Sequence, residues 1–365
     1  MSTPLGEFDI GVIEGFFGKP WSWSAREAYA EFLAEQGYAF YILAPKDDAI
    51  LRKRWRDDWS EGEWAALSMI RESYRKAGVL FGLGLSPWEL YKDYDGTGKA
   101  DLEAKVHRLD MLKPDILAIL FDDMPGASDE LASVQARITM DALNASTAPV
   151  AMACPTFYSD DPVYEDAYGA IPPSYLRDFA TGLDPAVHVH WTGPITCSKD
   201  FPAEHLANVA ERMGRKPFIW DNYPVNDGPI MAKKLNLRAF ENRGPELKTL
   251  TTGLAANPMN EAFLSWVPLA TLPKNIADHD YDRDASFREA AATFCGEEMG
   301  TALVQDLALF HDVGLDGIDE SRATELSEKY KEFGNVFALE IIRWLAGDYA
   351  PSAEVLAEFE GWGSE

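Results

Sequence analysis

The chain of 365 residues is long enough for one large α/β domain with a smaller appendage, and its hydrophobic and aromatic contents of 47% and 12% are those of a globular protein. Its formal net charge of -27 repels nucleic-acid phosphate and anionic membrane, so we expect neither as a partner. The three scattered cysteines argue against a disulfide framework. The start has no signal-peptide pattern and no apolar stretch approaches the ~20 residues of a spanning helix, so we expect a soluble, cytoplasmic protein.

Eight short apolar runs follow one another along the chain, most of them separated by a segment with helical spacing. Each run predicts a strand that is buried on both faces. They cover residues 10–14, 39–44, 79–85, 116–121, 150–154, 187–191, 218–220 and 250–255. Strand and helix alternating eight times predict a (β/α)8 TIM barrel, which takes ~250 residues. An open doubly wound sheet is the main rival, but no Gly-x-Gly-x-x-Gly or phosphate loop follows the first strand.

Helix signals complete this picture. The first helix is predicted from Ser24, as its N-cap, to a stop at Gly37. After about residue 280 the strands end, and helical spacing predicts four helices over 287–294, 302–310, 323–333 and 336–345. We therefore predict a barrel over residues 1–280 and a small C-terminal helical appendage over residues 281–365, whose aromatic side chains we interpret as core.

The fourth apolar run leads straight into two carboxylates, Asp122 and Asp123. Acidic side chains at the end of a buried strand are costly unless they face a cleft and have a function there. Asp-Asp pairs occur elsewhere in this acid-rich chain, so the position of this pair matters more than its presence. Two close carboxylates cannot both ionise easily, and one can therefore stay charged while the other holds a proton. The pair predicts general acid chemistry beside a fixed negative charge.

Polar or aromatic residues follow nearly every predicted strand: Glu14, Lys46, Ser86, Asp122, Tyr158, Trp191, Asn222 and Asn257. In a barrel these strand ends converge on one face, where active sites lie. Residues 220–227 add two Asn and two Asp flanked by aromatic residues, which suits either the binding of hydroxyl groups or a turn. The six histidines have no metal-ligand spacing, and we interpret His188 and His190 as core or supporting residues. A magnesium site at the two adjacent aspartates stays open as an alternative.

Taken together, these segments resemble family 84 of the glycoside hydrolases, the O-GlcNAcase and bacterial N-acetylglucosaminidase family. The resemblance runs through all eight predicted strands, from about residue 8 to residue 275. The matching segments are 12–21, 41–48, 120–123, 154–156 with Tyr158, 191–194, 220–222 with Asn226 and Asp227, and 256–259.

The resemblance implies a (β/α)8 barrel that hydrolyses terminal β-linked N-acetylglucosamine with retention of configuration. In that family the nucleophile is the 2-acetamido oxygen of the substrate, which forms an oxazoline. By position, Asp122 would hold and polarise the acetamido N–H. Asp123 would protonate the leaving oxygen and then activate water.

The resemblance also implies a set of substrate-binding residues. Those expected at the acetamido group are Tyr158, Trp220 and Asn222, and those expected at the sugar hydroxyls are Gly15, Lys46, Asp227 and Asn257. No metal or organic cofactor is implied. The partner is an N-acetylglucosaminide on a glycoprotein, a glycopeptide or an oligosaccharide.

Two positions depart from the family pattern, because Phe17 and Gly228 stand where a tyrosine is common. Each departure removes a hydroxyl near the sugar and affects the expected affinity and aglycone more than the reaction. Two further interpretations stay open: a carbohydrate-binding barrel that has lost turnover, and a metal-dependent lyase at the same site.

Overall fold

Eight parallel strands close into a barrel in the computed structural model of the chain, which describes residues 5–126 and 128–359. Each strand pairs with its neighbour in sequence, and β1 pairs with β8 to complete the closure. The strands are β1 Asp9–Glu14, β2 Phe40–Leu43, β3 Leu80–Leu85, β4 Ile116–Leu120, β5 Val150–Cys154, β6 His188–Trp191, β7 Phe218–Asp221 and β8 Gly253–Ala256. The predicted barrel is confirmed, and the doubly wound sheet is wrong.

Helices follow the strands and cover the outside of the barrel, as expected for apolar runs buried on both faces. They are α1 Trp23–Glu35, α2 Glu61–Ala77, α3 Gly96–Asp110, α4 Leu131–Ala145, α5 Val163–Tyr168, α6 Tyr175–Thr181, α7 Ala203–Met213, α8 Gly228–Met231, α9 Leu247–Leu250, α10 Trp266–Leu269 and α11 Leu272–Ala277. None of the helices in the described part of the chain is long and apolar enough to cross a membrane.

Two local predictions are wrong. The first helix is capped by Ser22, whose side chain accepts a hydrogen bond from the backbone N–H of Ala25 at 3.1 Å, and not by Ser24. Strand β8 begins at Gly253, because the residues just before it form the helical turn α9. In both places a short local hydrogen-bond pattern decides the boundary, and apolar periodicity does not report it.

The four helices predicted after the barrel are present, and a fifth was not predicted. They are α12 Arg283–Cys295, α13 Glu297–Leu307, α14 Glu320–Lys331, α15 Val336–Leu345 and α16 Ala353–Glu358. The buried carboxylate of Glu340 in α15 accepts the backbone N–H groups of Phe263 and Leu264 at 3.1 and 2.8 Å. This contact joins α15 to the loop after β8. The division of the chain at residue 280 stays a prediction.

Candidate active site

The two aspartates that follow β4 enter one cavity from adjacent positions. Because β4 ends at Leu120, Asp122 and Asp123 lie in the loop, where strand alternation no longer sends them to opposite faces. Asp123 has a φ of 56°, in the left-handed region that costs energy for residues other than glycine. Such backbone conformations are concentrated at functional sites. Here the conformation brings the second carboxylate into the same cavity as the first.

Asp122 is held from behind by a buried ammonium group. Its Oδ2 accepts a hydrogen bond from Nζ of Lys46, and this ion pair has side-chain exposures of 2% for the lysine and 5% for the aspartate. Its Oδ1 is buried and has no hydrogen-bond partner among residues 5–126 and 128–359. A buried charged oxygen without a partner is costly, and a donor supplied by a ligand would remove that cost.

Asp123 is the more exposed carboxylate of the pair, with 17% of its side chain accessible. Its Oδ1 accepts from the Tyr158 hydroxyl at 2.7 Å, and its Oδ2 lies 4.0 Å from Nζ of Lys46. Burial raises the pKa of Asp123, and the charge of Asp122 raises it further, against the opposing effects of Lys46 and Tyr158. The group can therefore hold a proton at a higher pH than an ordinary aspartate.

A chain of amide hydrogen bonds joins three of the strand ends. The side-chain oxygen of Asn222 accepts from Nε1 of Trp220 at 2.9 Å and from the amide of Asn257 at 3.0 Å. The side-chain oxygen of Asn257 in turn accepts the backbone N–H of Gly15 at 3.1 Å. A Cβ atom on Gly15 would lie 2.4 Å from the Trp220 ring, so only glycine permits this approach. The wall between β1, β7 and β8 is therefore fixed before any ligand arrives.

Asp227 follows β7 and faces the same cavity. Its Oδ2 accepts the backbone N–H of Phe17 at 2.8 Å, and burial raises its pKa to about 7. The loop that carries it is fixed by Asn226, whose amide donates to the Glu261 carboxylate at 2.8 Å and whose oxygen accepts the backbone N–H of Asn260 at 3.0 Å. The segment 220–227 is thus more than a turn, because Asn222, Asn226 and Asp227 each hydrogen-bond to residues of other loops.

These groups surround a cavity of about 100 Å³. All of the predicted site residues line it except Lys46, whose ammonium group lies behind Asp122 and 5.4 Å from the centre of the Trp220 ring. Lys46 is buried and pairs with Asp122, and not with the aspartates next to it in sequence. A direct contact between Lys46 and a sugar hydroxyl stays a prediction.

Besides Lys46, three of the polar or aromatic residues at the strand ends do not line the cavity: Ser86, Glu14 and Trp191. Ser86 is buried just beyond the end of β3. Glu14, at the end of β1, points outward to α1, where its carboxylate forms a 2.6 Å ion pair with Arg26. Trp191, at the end of β6, donates from Nε1 to His205 of α7 at 3.0 Å. Both residues belong to the regular strand, and alternation of side chains sends them to the helix layer. Residues beyond the last residue of a strand do not have to follow this alternation. Asp122 and Asn222 can therefore face the cavity, whereas Glu14 cannot.

The remaining predictions concern histidine and metal. His190 is buried inside the barrel between Phe218 and Trp220. Burial lowers its pKa to about 3, so His190 is an uncharged residue of the core. Within the described ranges, no group of three or more His, Cys, Asp or Glu side chains is placed to hold a metal ion. The ammonium group of Lys46 takes the position beside Asp122 that a cation would need.

Several lining residues were not predicted. Two of them are cysteines, and burial raises the pKa of the Cys154 thiol well above its ordinary value and that of Cys197 to about 12. Both are neutral thiols and poor nucleophiles. Thr192, Thr196 and Cys197 come from the loop after β6. The convergence of strand ends on one face of a barrel could have been used to predict that this loop lines the cavity. Glu358 and Phe359, at the end of α16, also line the cavity, and nothing in the sequence pattern indicates this.

A closed parallel barrel with two acidic side chains and a wall of amide and carboxylate groups at the carboxyl ends of its strands has the architecture of a glycoside hydrolase. Comparison with known proteins agrees with this class. The sequence profile of the beta-N-acetylglucosaminidase family matches residues 10–309. The chain therefore belongs to the β-N-acetylglucosaminidase family, and the resemblance to glycoside hydrolase family 84 is confirmed.

Individual relatives support the same assignment. The chain is 30% identical over 274 residues to Protein O-GlcNAcase of Mus musculus and to that of Rattus norvegicus. The match covers 73% of this chain and 29% of each rodent protein, so the chain spans less than a third of their length. A mutant of the O-GlcNAc hydrolase of Thermobaculum terrenum has a similar structure. Its TM-score is 0.75 at 28% identity, and the match covers 94% of this chain and 75% of that one.

Proposed function

We propose that this chain is a retaining exo-β-N-acetylglucosaminidase that uses the acetamido group of its substrate as nucleophile. The observation that carries the proposal is the unpartnered, buried Oδ1 of Asp122, beside an Asp123 whose pKa is raised. One carboxylate is ready to accept an N–H group, and the other is ready to donate a proton to a nearby oxygen. The 2-acetamido nitrogen and the glycosidic oxygen of a β-N-acetylglucosaminide present these two groups on adjacent carbons.

In the first step the acetamido oxygen attacks C1 of the sugar, and the bond between C1 and the glycosidic oxygen breaks. The proton of Asp123 moves to the departing oxygen. Asp122, which is paired with Lys46, accepts the acetamido N–H and stabilises the positive charge that develops on that nitrogen. The products of this step are the free aglycone, the Asp123 carboxylate and a protonated oxazoline (an oxazolinium ion) that stays in the cavity beside Asp122.

In the second step the roles reverse. The Asp123 carboxylate takes a proton from water, and the water oxygen bonds to C1 and reopens the oxazoline. Two displacements at C1 retain the β configuration. Tyr158 positions the acid through its 2.7 Å hydrogen bond, and Asn222 and Trp220 form the wall available to the acetyl group. Asp227 and Asn257 are the acceptors available to the sugar hydroxyls.

Placement of the two aspartates also argues against a nucleophile from the protein. An enzymatic nucleophile and an acid must approach opposite faces of the sugar ring. Asp122 and Asp123 come from one strand end, and Lys46 contacts the first and lies close to the second. They are better placed to flank the acetamido group and the bridging oxygen on one side.

The decisive assay compares aryl β-N-acetylglucosaminide with aryl β-glucoside and aryl β-N-acetylgalactosaminide. We expect turnover of the first and none of the glucoside, which lacks the acetamido group. Replacing the acetyl group by mono-, di- and trifluoroacetyl weakens the attacking oxygen and should lower kcat stepwise, by about 10²-fold or more across the series. A thiazoline analogue of the oxazoline should bind far more tightly than N-acetylglucosamine.

Other outcomes would favour the alternatives. Binding of N-acetylglucosamine without any turnover would favour a carbohydrate-binding barrel, and loss of activity in EDTA would favour a metal-dependent lyase. A rate that does not respond to fluorination, or a glycosyl ester trapped on any Asp or Glu, would overturn the mechanism even if the chain proved to be a hydrolase.

A further inference from the structure

The C-terminal helix α16 brings two residues to the rim of the active-site cavity. Glu358 is its last residue and Phe359 follows it, and both line the cavity together with Phe17. The ring of Phe359 lies edge-on to the ring of Phe17, with centroids 5.3 Å apart and an interplanar angle of 67°. Such aromatic pairs add a favourable interaction beyond the area they bury. The rim of the cavity is thus built partly from a segment outside the barrel.

The position of this segment relative to the two aspartates is fixed by one arginine. Nη2 of Arg52 donates to the backbone carbonyl of Asp123 at 3.1 Å and to Oε2 of Glu358 at 3.1 Å. Lys53 forms a second ion pair with the same carboxylate. Because Arg52 bridges the two residues, Glu358 lies at the end of the cavity occupied by Asp123. Under the proposed function, this is the end at which the leaving group is protonated.

A glycine leaves the space that the phenylalanine ring fills. Gly228 has a φ of 76°, and a Cβ atom there would lie 2.9 Å from Cε1 of Phe359. A side chain at position 228 would therefore displace the Phe359 ring from its present position. Helix α8 begins at this glycine, directly after Asp227. Phe359 thus packs against the loops that follow β1 and β7.

This part of the rim is held by few buried contacts. Helix α16 has six residues, of which Val355 is buried, and Leu356 is 44% exposed. Helices this short have little stability of their own, and segments with few buried apolar contacts open at low cost in free energy. The cavity of about 100 Å³ is also small beside the roughly 300–1,000 Å³ of ordinary ligand sites. Phe359 directly follows Glu358, so its ring narrows the cavity beside the residue that Arg52 links to Asp123.

We propose that Phe359 is a specificity-determining residue that closes the leaving-group side of the cavity and selects against bulky aglycones. The inference rests on the proposed function, since it assigns the Asp123 end of the cavity to the aglycone. A small aryl aglycone is accommodated beside the Phe17–Phe359 pair, whose rings are in contact with each other. A peptide aglycone binds only when the C-terminal segment has moved away, and its apparent affinity falls with the fraction of molecules that are open.

The test compares two substrates of the full-length chain: 4-nitrophenyl β-N-acetylglucosaminide and a soluble glycopeptide that carries the same sugar on a serine. The measured quantity is the ratio of kcat/KM for the glycopeptide to kcat/KM for the aryl glycoside. Phe359→Ala should raise this ratio at least about fivefold, as expected if one wild-type molecule in five or fewer is open. Phe359→Trp, which enlarges the rim, should lower it.

The matched control is Leu356→Ala, which removes an exposed side chain from the same helix at a position that does not line the cavity, and it should leave the ratio unchanged. A ratio that stays the same or falls in Phe359→Ala would overturn the proposal, because the ring would then be inert or a binding contact for the peptide. Turnover of the aryl glycoside by the wild-type chain tests the proposed function separately. Its absence would overturn that function and, with it, the role given to Phe359.

Discussion

The hydroxyl of Tyr158 donates to Oδ1 of Asp123 at 2.7 Å, and this bond links the loops that follow the neighbouring strands β5 and β4. A donor to the ionised carboxylate stabilises the charged form, so Tyr158 lowers the pKa of Asp123 while burial raises it. The bond also holds the carboxylate in one orientation. Tyr158 therefore affects both the protonation of the proposed acid and its position.

Tyr158→Phe removes this donor and should raise the pKa of Asp123 further. The acid then keeps its proton to a higher pH, and the alkaline limb of the kcat/KM profile should move upward. At the optimum, kcat/KM should fall by about tenfold or more, because the acid is less well positioned. A pH–rate profile of both proteins checks this. An alkaline limb that stays in place or moves downward would contradict the assigned bond.

Replacement of Asp123 itself tests its role as general acid. Asp123→Asn should lower kcat by at least about 10²-fold for substrates with poor leaving groups, which need a proton as the bond breaks. Aryl glycosides with acidic phenols need little protonation and should lose less. The measurement is a plot of log kcat against the pKa of the leaving group, which should be steeper in the variant. Equal losses across the series would remove Asp123 from the acid role.

How far the sequence predicts such a site depends on where each residue lies relative to its strand. Asp122, Tyr158, Asn222 and Asn257 follow the regular strand, so the convergence of strand ends was enough to predict their meeting. Glu14 obeys strand alternation instead and points to α1. To tell residues inside a strand from residues beyond it, one must know where the strand ends, and sequence patterns locate strand ends only to within a few residues.

Other features depend on contacts that no local pattern reports. The burial of Lys46 against Asp122 joins residues 76 positions apart. Arg52 lies in a charged loop that suggests an exposed surface, yet it is buried between Asp123 and Glu358. Helix α16 has a single buried residue and therefore little apolar periodicity to detect. Its packing on the cavity rim is a tertiary effect.

The third prediction concerns Asp227, whose carboxylate faces the cavity and has a pKa raised to about 7 by burial. As an acceptor for sugar hydroxyls it is strongest when ionised. Asp227→Ala should therefore weaken binding of N-acetylglucosamine by roughly 10- to 100-fold, the value of one or two hydrogen bonds to a charged group. Unchanged affinity would show that the residue only supports the loop through Phe17.

The pH dependence of N-acetylglucosamine binding provides a second test of the role of Asp227. Asp227 loses its proton as the pH rises through about 7, so affinity of the wild-type chain should increase across that range. Asp227→Asn keeps a side-chain oxygen but cannot ionise, and this part of the pH dependence should disappear. Isothermal titration calorimetry on both proteins measures it. Identical profiles would assign the change in affinity to another group, such as Asp123.

The last prediction concerns stability. Glu261 supports the loop before Asp227 through Asn226, and its Oε1 is buried with no hydrogen-bond partner in the described part of the chain. Burial raises its pKa from 4.5 to about 8, and the nearby Glu340 adds to the shift. Between these two values the folded chain keeps a proton that the unfolded chain has lost. The free energy of unfolding must therefore fall as the pH rises through this window, and the loss is complete above about 8.

Glu261→Gln cannot ionise, so this contribution should vanish and the stability profile should become flatter. Relative to the variant, the wild-type chain should lose on the order of a few kcal/mol between about pH 5 and about pH 8.5, which urea denaturation at several pH values will measure. The matched control is Glu289→Gln on α12. The Glu289 side chain is 65% exposed, so the control should leave the slope unchanged. A wild-type profile parallel to that of Glu261→Gln would show that Glu261 is ionised in the folded chain. The buried carboxylate would then need a partner beyond Asn226.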